Sequence, residues 1–161
     1  MGDWVDFFVA QVGAAAALTG LVIVGISINV ARILSDPGLP GRAAETLVLP
    51  AGLLVAATFA LVPHQPDWVL GSEFALTGLV MWLIPTRIHI RAIRAGNGEI
   101  GPASGGPRIA LVLFSSWPFI LCGILMLQGV SGALYWLVPG VIVSLVATVI
   151  NAWVLLIEIL R

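Results

Sequence analysis

A chain of 161 residues that is 60% hydrophobic and 9% charged, with a formal net charge of -1 and a mean hydropathy of +1.10, carries too few charges to clothe a water-soluble globule. It reads as one membrane domain, residues 1–161, with no separate soluble unit. All seven basic residues are arginine and none forms a face broad enough to follow a phosphate backbone, so nucleic acid is excluded as a partner, while the single cysteine, Cys122, excludes an internal disulfide or a thiolate cluster.

The chain opens Met1-Gly2-Asp3-Trp4-Val5-Asp6, without the positive stretch of a signal peptide, so the first apolar run, Phe7 to Val30, is expected to stay as a helix. Ser35-Asp36-Pro37-Gly38-Leu39-Pro40-Gly41 stops it, and Pro40 suits a first helical turn, where its missing N–H costs no bond. The second run goes from Glu45 to Val62. Pro63-His64-Gln65-Pro66-Asp67 is a tight turn into the third, Trp68 to Pro85, beyond which Arg87, Arg91 and Arg94 ride on a helical extension. The segment from Gly96 to Pro107 is too glycine-rich to fold alone and is expected to be the longest loop. The fourth run covers Ile109 to Gln128, Gly129 to Gly132 turn the chain, and the fifth covers Leu134 to Leu160. Each run is close to the ~20 residues needed to cross ~30 Å of hydrocarbon. The predicted fold class is therefore an all-α integral membrane protein, a bundle of five transmembrane helices.

Charge sets the orientation. Arg32, Arg42, Arg87, Arg91, Arg94, Arg108 and Arg161 all fall in the first and third connections or at the C-terminus. The positive-inside rule then puts those segments in the cytoplasm and the N-terminus outside. Trp4, Trp68, Tyr135 and Trp136 fall at the outer ends of spans, the depth that amphipathic rings prefer.

Ala17-Leu18-Thr19-Gly20-Leu21-Val22 recurs as Ala75-Leu76-Thr77-Gly78-Leu79-Val80. A parallel repeat of a helical hairpin, spans one and two against three and four with a fifth helix added, accounts for this. Coincidence among Ala, Leu, Val and Gly accounts for it equally. The block from Gly13 to Asn29, followed by Leu39-Pro40-Gly41-Arg42-Ala43-Ala44-Glu45, resembles a group of small uncharacterised bacterial membrane proteins. The resemblance implies a multi-pass protein of the bacterial inner membrane and carries no activity, cofactor or site residue.

Few residues offer chemistry. There is no G-x-S-x-G, H-E-x-x-H or P-loop pattern and no dense acidic motif, so no enzyme, cofactor or metal site is expected. A haem held by two histidines is disfavoured because His64 and His89 fall at different depths, and His64, Asp67 and Glu73 match no metal-ligand spacing. Ser115 and Ser116 precede Pro118, where they are expected to compensate the carbonyl of Phe114 that the proline frees.

Glu73 must lie inside the third span, since the apolar sequence after it is too short to cross alone. With Thr77 one turn deeper it is a candidate proton or cation site, or else an anchor reaching headgroup water. Ser144, Thr148, Asn151 and Glu158 share or flank one stripe of the fifth helix, either a hydrogen-bonded seam between helices or the lining of a pore. Arg87, Arg91 and Arg94 are candidates for contact with anionic lipid, without strong preference for a particular headgroup. Small-residue faces, Gly13/Ala17/Gly20, Gly52/Ala56/Ala60 and Gly71/Ala75/Gly78, allow close helix crossings within one subunit or between subunits. The function expected is non-enzymatic: homo-oligomerisation or service as an accessory subunit of a membrane complex, with membrane lipids as further partners. The alternative is a small channel or transporter using Glu73 and the fifth-helix stripe.

Overall fold

The computed structural model describes residues 4–36, 38–94 and 102–160, without the side chains of 93, 102–109 and 158–160. The described chain is helical throughout, with α1 (Val5–Ile28), α2 (Val30–Ser35), α3 (Leu39–Ala60), α4 (Asp67–Arg94), α5 (Pro102–Leu127) and α6 (Leu137–Leu160). A 3-10 turn, Ala133–Trp136, leads into α6. Five of the helices are long and apolar enough to cross a membrane, and their windows coincide with the five predicted runs to within a turn or two.

Where the boundaries differ, local chemistry explains it. The first run breaks at Asn29, whose side-chain amide donates to the Gly25 carbonyl at 2.8 Å. This side-chain bond competes with continuation of the helix, and α2 starts afresh beyond it. α3 begins at Leu39 with Pro40 in its first turn, six residues before the predicted edge at Glu45. α4 runs through Pro85 rather than stopping there. The loop expected up to Pro107 is shorter than predicted, because α5 starts at Pro102 and takes Ser104-Gly105-Gly106 into its first turns. Proline at a helix start is pre-shaped for it, which offsets the poor helix propensity of the glycines. The remainder of that expected loop, 96–101, lies outside the described residues.

Gly129 and Gly132 turn the chain into α6 with φ of 71° and 83°, the left-handed region that glycine enters without penalty. α4 and α5 form the closest pair. A Cβ on Gly123 would sit 2.6 Å from Ala75 N, and one on Gly78 would sit 2.9 Å from Ile120 N, so only hydrogen fits at either crossing. α3 lies at the middle of the bundle, touching α1, α4 and α6, while α5 packs on α6.

Two ends are distinct. At one, Trp4 meets Phe7 and Tyr135 edge-on, with ring centroids 5.5 and 5.0 Å apart, and Phe8 stacks on Phe74. At the other, Ile33, Leu39, Ala43 and Leu155 close a second small core among α2, α3 and α6. The arginines of α2, α3 and α4 belong to this second, arginine end.

Candidate functional site

At the arginine end, inside the apolar length of the bundle, Glu45 and His89 meet. Pro40 starts α3 early enough to carry Glu45 about two turns into the helix, and α4, running the opposite way, brings His89 to the same level. Glu45 is 2% exposed and His89 6%. His89 Nε2 lies 3.1 Å from Glu45 Oε1, so an imidazole protonated at Nε2 donates to the carboxylate. Arg42 and Glu45 each take part in a further interaction as well. Thr46, also buried, donates its hydroxyl to the Arg42 carbonyl at 2.9 Å. A carboxylate and an imidazole sealed among apolar helices are costly to bury unless paired, and the pair supplies what each needs.

Sequence reasoning missed this pair. It placed Glu45 at the edge of the second span and weighed His89 only as a haem ligand. The available signal was Pro40: a helix opening there has Glu45 well inside it, and a helix continuing past Pro85 has His89 on the face opposite Arg87, Arg91 and Arg94.

Glu73 is half-buried and accepts a hydrogen bond from the side-chain amide of Gln65, across the turn before α4. Thr77 is buried one turn deeper. The partner that the structure gives Glu73 is therefore Gln65. His64 takes a φ of 57° in that turn and is exposed, as is Asp67. Among the described residues no group of three histidine, cysteine or acidic side chains is placed to hold a metal ion.

The α6 stripe faces inward. Ser144 and Thr148 are fully buried and Asn151 is 9% exposed, while the side chain of Glu158 lies outside the described residues. Thr148 donates to the Ser144 carbonyl at 2.8 Å, and Ser144 reaches the Ser115 carbonyl of α5 at 3.4 Å. Ser115 and Ser116 donate to Leu111 and Val112, at 2.7 Å each. The expected bond to Phe114 is not formed: a serine in a helix reaches the carbonyl four residues back, and from 115 and 116 that carbonyl is not Phe114. Instead the hydroxyl of Ser144 approaches the α5 backbone at the Ser115 carbonyl, three residues before Pro118, from the neighbouring helix. Gly140 allows this approach, since a Cβ there would meet Pro118 Cβ at 2.8 Å.

Arg87, Arg91 and Arg94 are all exposed and share one face of α4. None makes a hydrogen bond or ion pair among the described residues. The Arg108 side chain and Arg161 lie outside the described residues.

Of the small-residue faces, two are internal. Gly52 lies against Met81, and Ala56 is 3% exposed. Gly71 meets Met126 and Gly123, and Gly78 meets Ile120 and Phe119. The α1 face is different: a Cβ on Gly13 or Gly20 would meet nothing within 4 Å, and Ala17 between them is exposed. No family model matches this chain, and the comparisons with curated proteins and with solved structures also match nothing.

Proposed function

We propose that the chain is a multi-pass protein of the bacterial inner membrane, N-terminus outside and arginine end in the cytoplasm, that works without catalysis by associating with a second copy of itself. The observation that carries this reading is the open α1 face. Gly13, Ala17 and Gly20 form a smooth strip on one side of an apolar helix, and none of the described residues covers it. In lipid, helices associate through close packing of small residues, and a strip of this kind is self-complementary about a two-fold axis.

Single cysteines at Ala17 and Gly20, in a Cys122→Ala background, are expected to cross-link as dimers in native membranes. Cysteines at Leu76 or Ile142, exposed on other helices, are not. Gly20→Leu should abolish the dimer while leaving helix content and the stability of the isolated subunit unchanged. A protein that stays monomeric in native-like lipid at every concentration would sink the reading. Orientation is tested separately: cysteines at His64 and Gly98 should label from opposite sides of the membrane, and labelling from one side would end the five-span arrangement.

A small transporter or channel is the second reading, and the Glu45–His89 pair favours it, because ionisable groups held within a span commonly mark ion or proton paths. Proton or cation flux in liposomes that is abolished by Glu45→Gln or Glu73→Gln would replace the association reading with this one.

A further inference from the structure

The outward face of α4 has the form of a lipid contact. Leu76, Val80 and Ile84 are 62%, 42% and 40% exposed, and Arg87, Arg91 and Arg94 continue the same line, all exposed. Successive spacings of four, four, three, four and three residues hold the six within one narrow stripe at ~3.6 residues per turn. The stripe is fixed in place by what lies behind it. His89 is on the opposite side of the helix, pinned to Glu45, and Gly78 is pressed against α5, so α4 cannot roll to hide the arginines.

The dimensions suit one leaflet. From Leu76 to Arg87 is eleven residues, or ~16 Å of helix, and half of a ~30 Å hydrocarbon core is about the same. The apolar part of the stripe therefore runs beside an acyl chain, and the arginines begin where headgroups begin. Three guanidinium groups then follow over ~10 Å without an ion pair among the described residues. Guanidinium matches phosphate by charge and by its forked donors.

We infer that the α4 stripe is a binding surface for anionic phospholipid, with the acyl chain along Leu76, Val80 and Ile84 and the headgroup phosphate on Arg87, Arg91 and Arg94. It selects for net negative charge and not for headgroup shape, since side chains on one convex helix face make no pocket. The inference rests on the membrane reading above but not on dimerisation.

The test uses the purified full chain in nanodiscs containing equal amounts of phosphatidylglycerol and phosphatidylcholine, with native mass spectrometry of the lipids that remain bound. Phosphatidylglycerol is expected to be enriched about fivefold or more among retained lipids, which is what ~1 kcal/mol from one arginine at an anionic surface supplies. Arg87→Gln/Arg91→Gln/Arg94→Gln should remove the enrichment. Arg91→Gln alone should lower it, whereas Arg32→Gln, an exposed arginine at the same end on α2, should not. Equal retention of the two lipids by the wild type, an unchanged preference in the triple variant, or an equal loss with Arg32→Gln would each overturn the assignment. Displacement of bound phosphatidylglycerol by millimolar inorganic phosphate would also overturn it, in favour of a site for the free anion. Failure of the chain to enter nanodiscs would overturn the membrane reading itself, an outcome distinct from insertion without lipid preference.

Discussion

The same six residues, Ala-Leu-Thr-Gly-Leu-Val, stand at 17–22 in α1 and at 75–80 in α4, and they meet opposite surroundings. In α1 the glycine is open, and Val22 is the residue of the six that turns inward. In α4 the glycine is pressed against α5, Thr77 is buried, and Val80 is turned out. Identical local sequence therefore does not decide which face of an apolar helix meets protein. In water it would, because a polar face marks the solvent side. In lipid, which is as apolar as the core, the decision would fall to shape: which partner offers backbone close enough to fill the notch that a glycine leaves. α5 offers it, with Gly123 facing Gly71 and Ala75. None of the described residues offers it to Gly20.

The sharpest way to break this comparison is to place the same side chain at both glycines. Gly78→Leu is expected to be severe. Even its Cβ would lie 2.9 Å from Ile120 N, a backbone atom that cannot yield, and a leucine would force α4 and α5 apart over their whole crossing. A loss of ~3 kcal/mol or more is the expected scale when overpacking of this kind falls on backbone. Gly20→Leu should change subunit stability by no more than ~0.5 kcal/mol, as substitutions away from packed features do. Unfolding in mild detergent measures both. Equal effects would mean that the two environments are not in fact different.

A second, smaller effect tests the other end of α4, which is tied to α3 by the Glu45–His89 contact as well as by packing. His89→Leu removes the imidazole and leaves the buried Glu45 carboxylate with one partner fewer, so a destabilisation of ~1–3 kcal/mol is expected from the lost bond to a charged or chargeable group. Leu21→Ala, on the outward side of α1 and 69% exposed, should cost little in the same assay. If His89→Leu proved as mild as Leu21→Ala, the pair would contribute nothing to holding α4 in register.

These contrasts mark what the sequence could disclose. The number of long apolar helices and the turns between them were legible, because a run of ~20 apolar residues interrupted by Pro, Gly and Asp leaves few alternatives. The inward stripe of α6 was legible too: Gly140, Ser144, Ala147 and Asn151 are all buried, and small or polar residues gathered on one side of an otherwise apolar helix point to protein neighbours. The Glu45–His89 contact was not, since it depends on how far α3 extends ahead of its apolar run and how far α4 continues past Pro85. Nor was the difference between the Gly20 and Gly78 faces, which belongs to packing alone. The start of α5 at Pro102 was hidden by glycine propensity, which tertiary context overrides.

The smallest expected effect concerns what attaches α1 to the bundle. Its inward side is carried by Phe8, Ala15 and Val22, at intervals of seven, with Gln11 half-buried between the first two. Gln11 borders a cavity of about 10 Å³ shared with Phe8, Leu53, Phe74 and Phe119. Its side-chain Oε1 is buried with no hydrogen bond. A void of that size holds about one water, but a water needs two or more polar partners, and the named neighbours are all apolar. The amide oxygen therefore remains desolvated, a cost of ~1–3 kcal/mol by general experience with buried unsatisfied groups. Gln11→Leu replaces it with an apolar side chain of similar reach, able to fill the same space without an orphaned acceptor. A gain in stability of ~1 kcal/mol is the expected outcome, read as a higher denaturant midpoint with an unchanged slope. Gln11→Ala separates the two contributions: it also removes the acceptor but enlarges the cavity, so it should be less stable than Gln11→Leu. If Gln11→Leu instead weakened the protein, the amide would be holding α1 by a contact that matters more than its desolvation, and α1 would be less loosely seated than its open face implies.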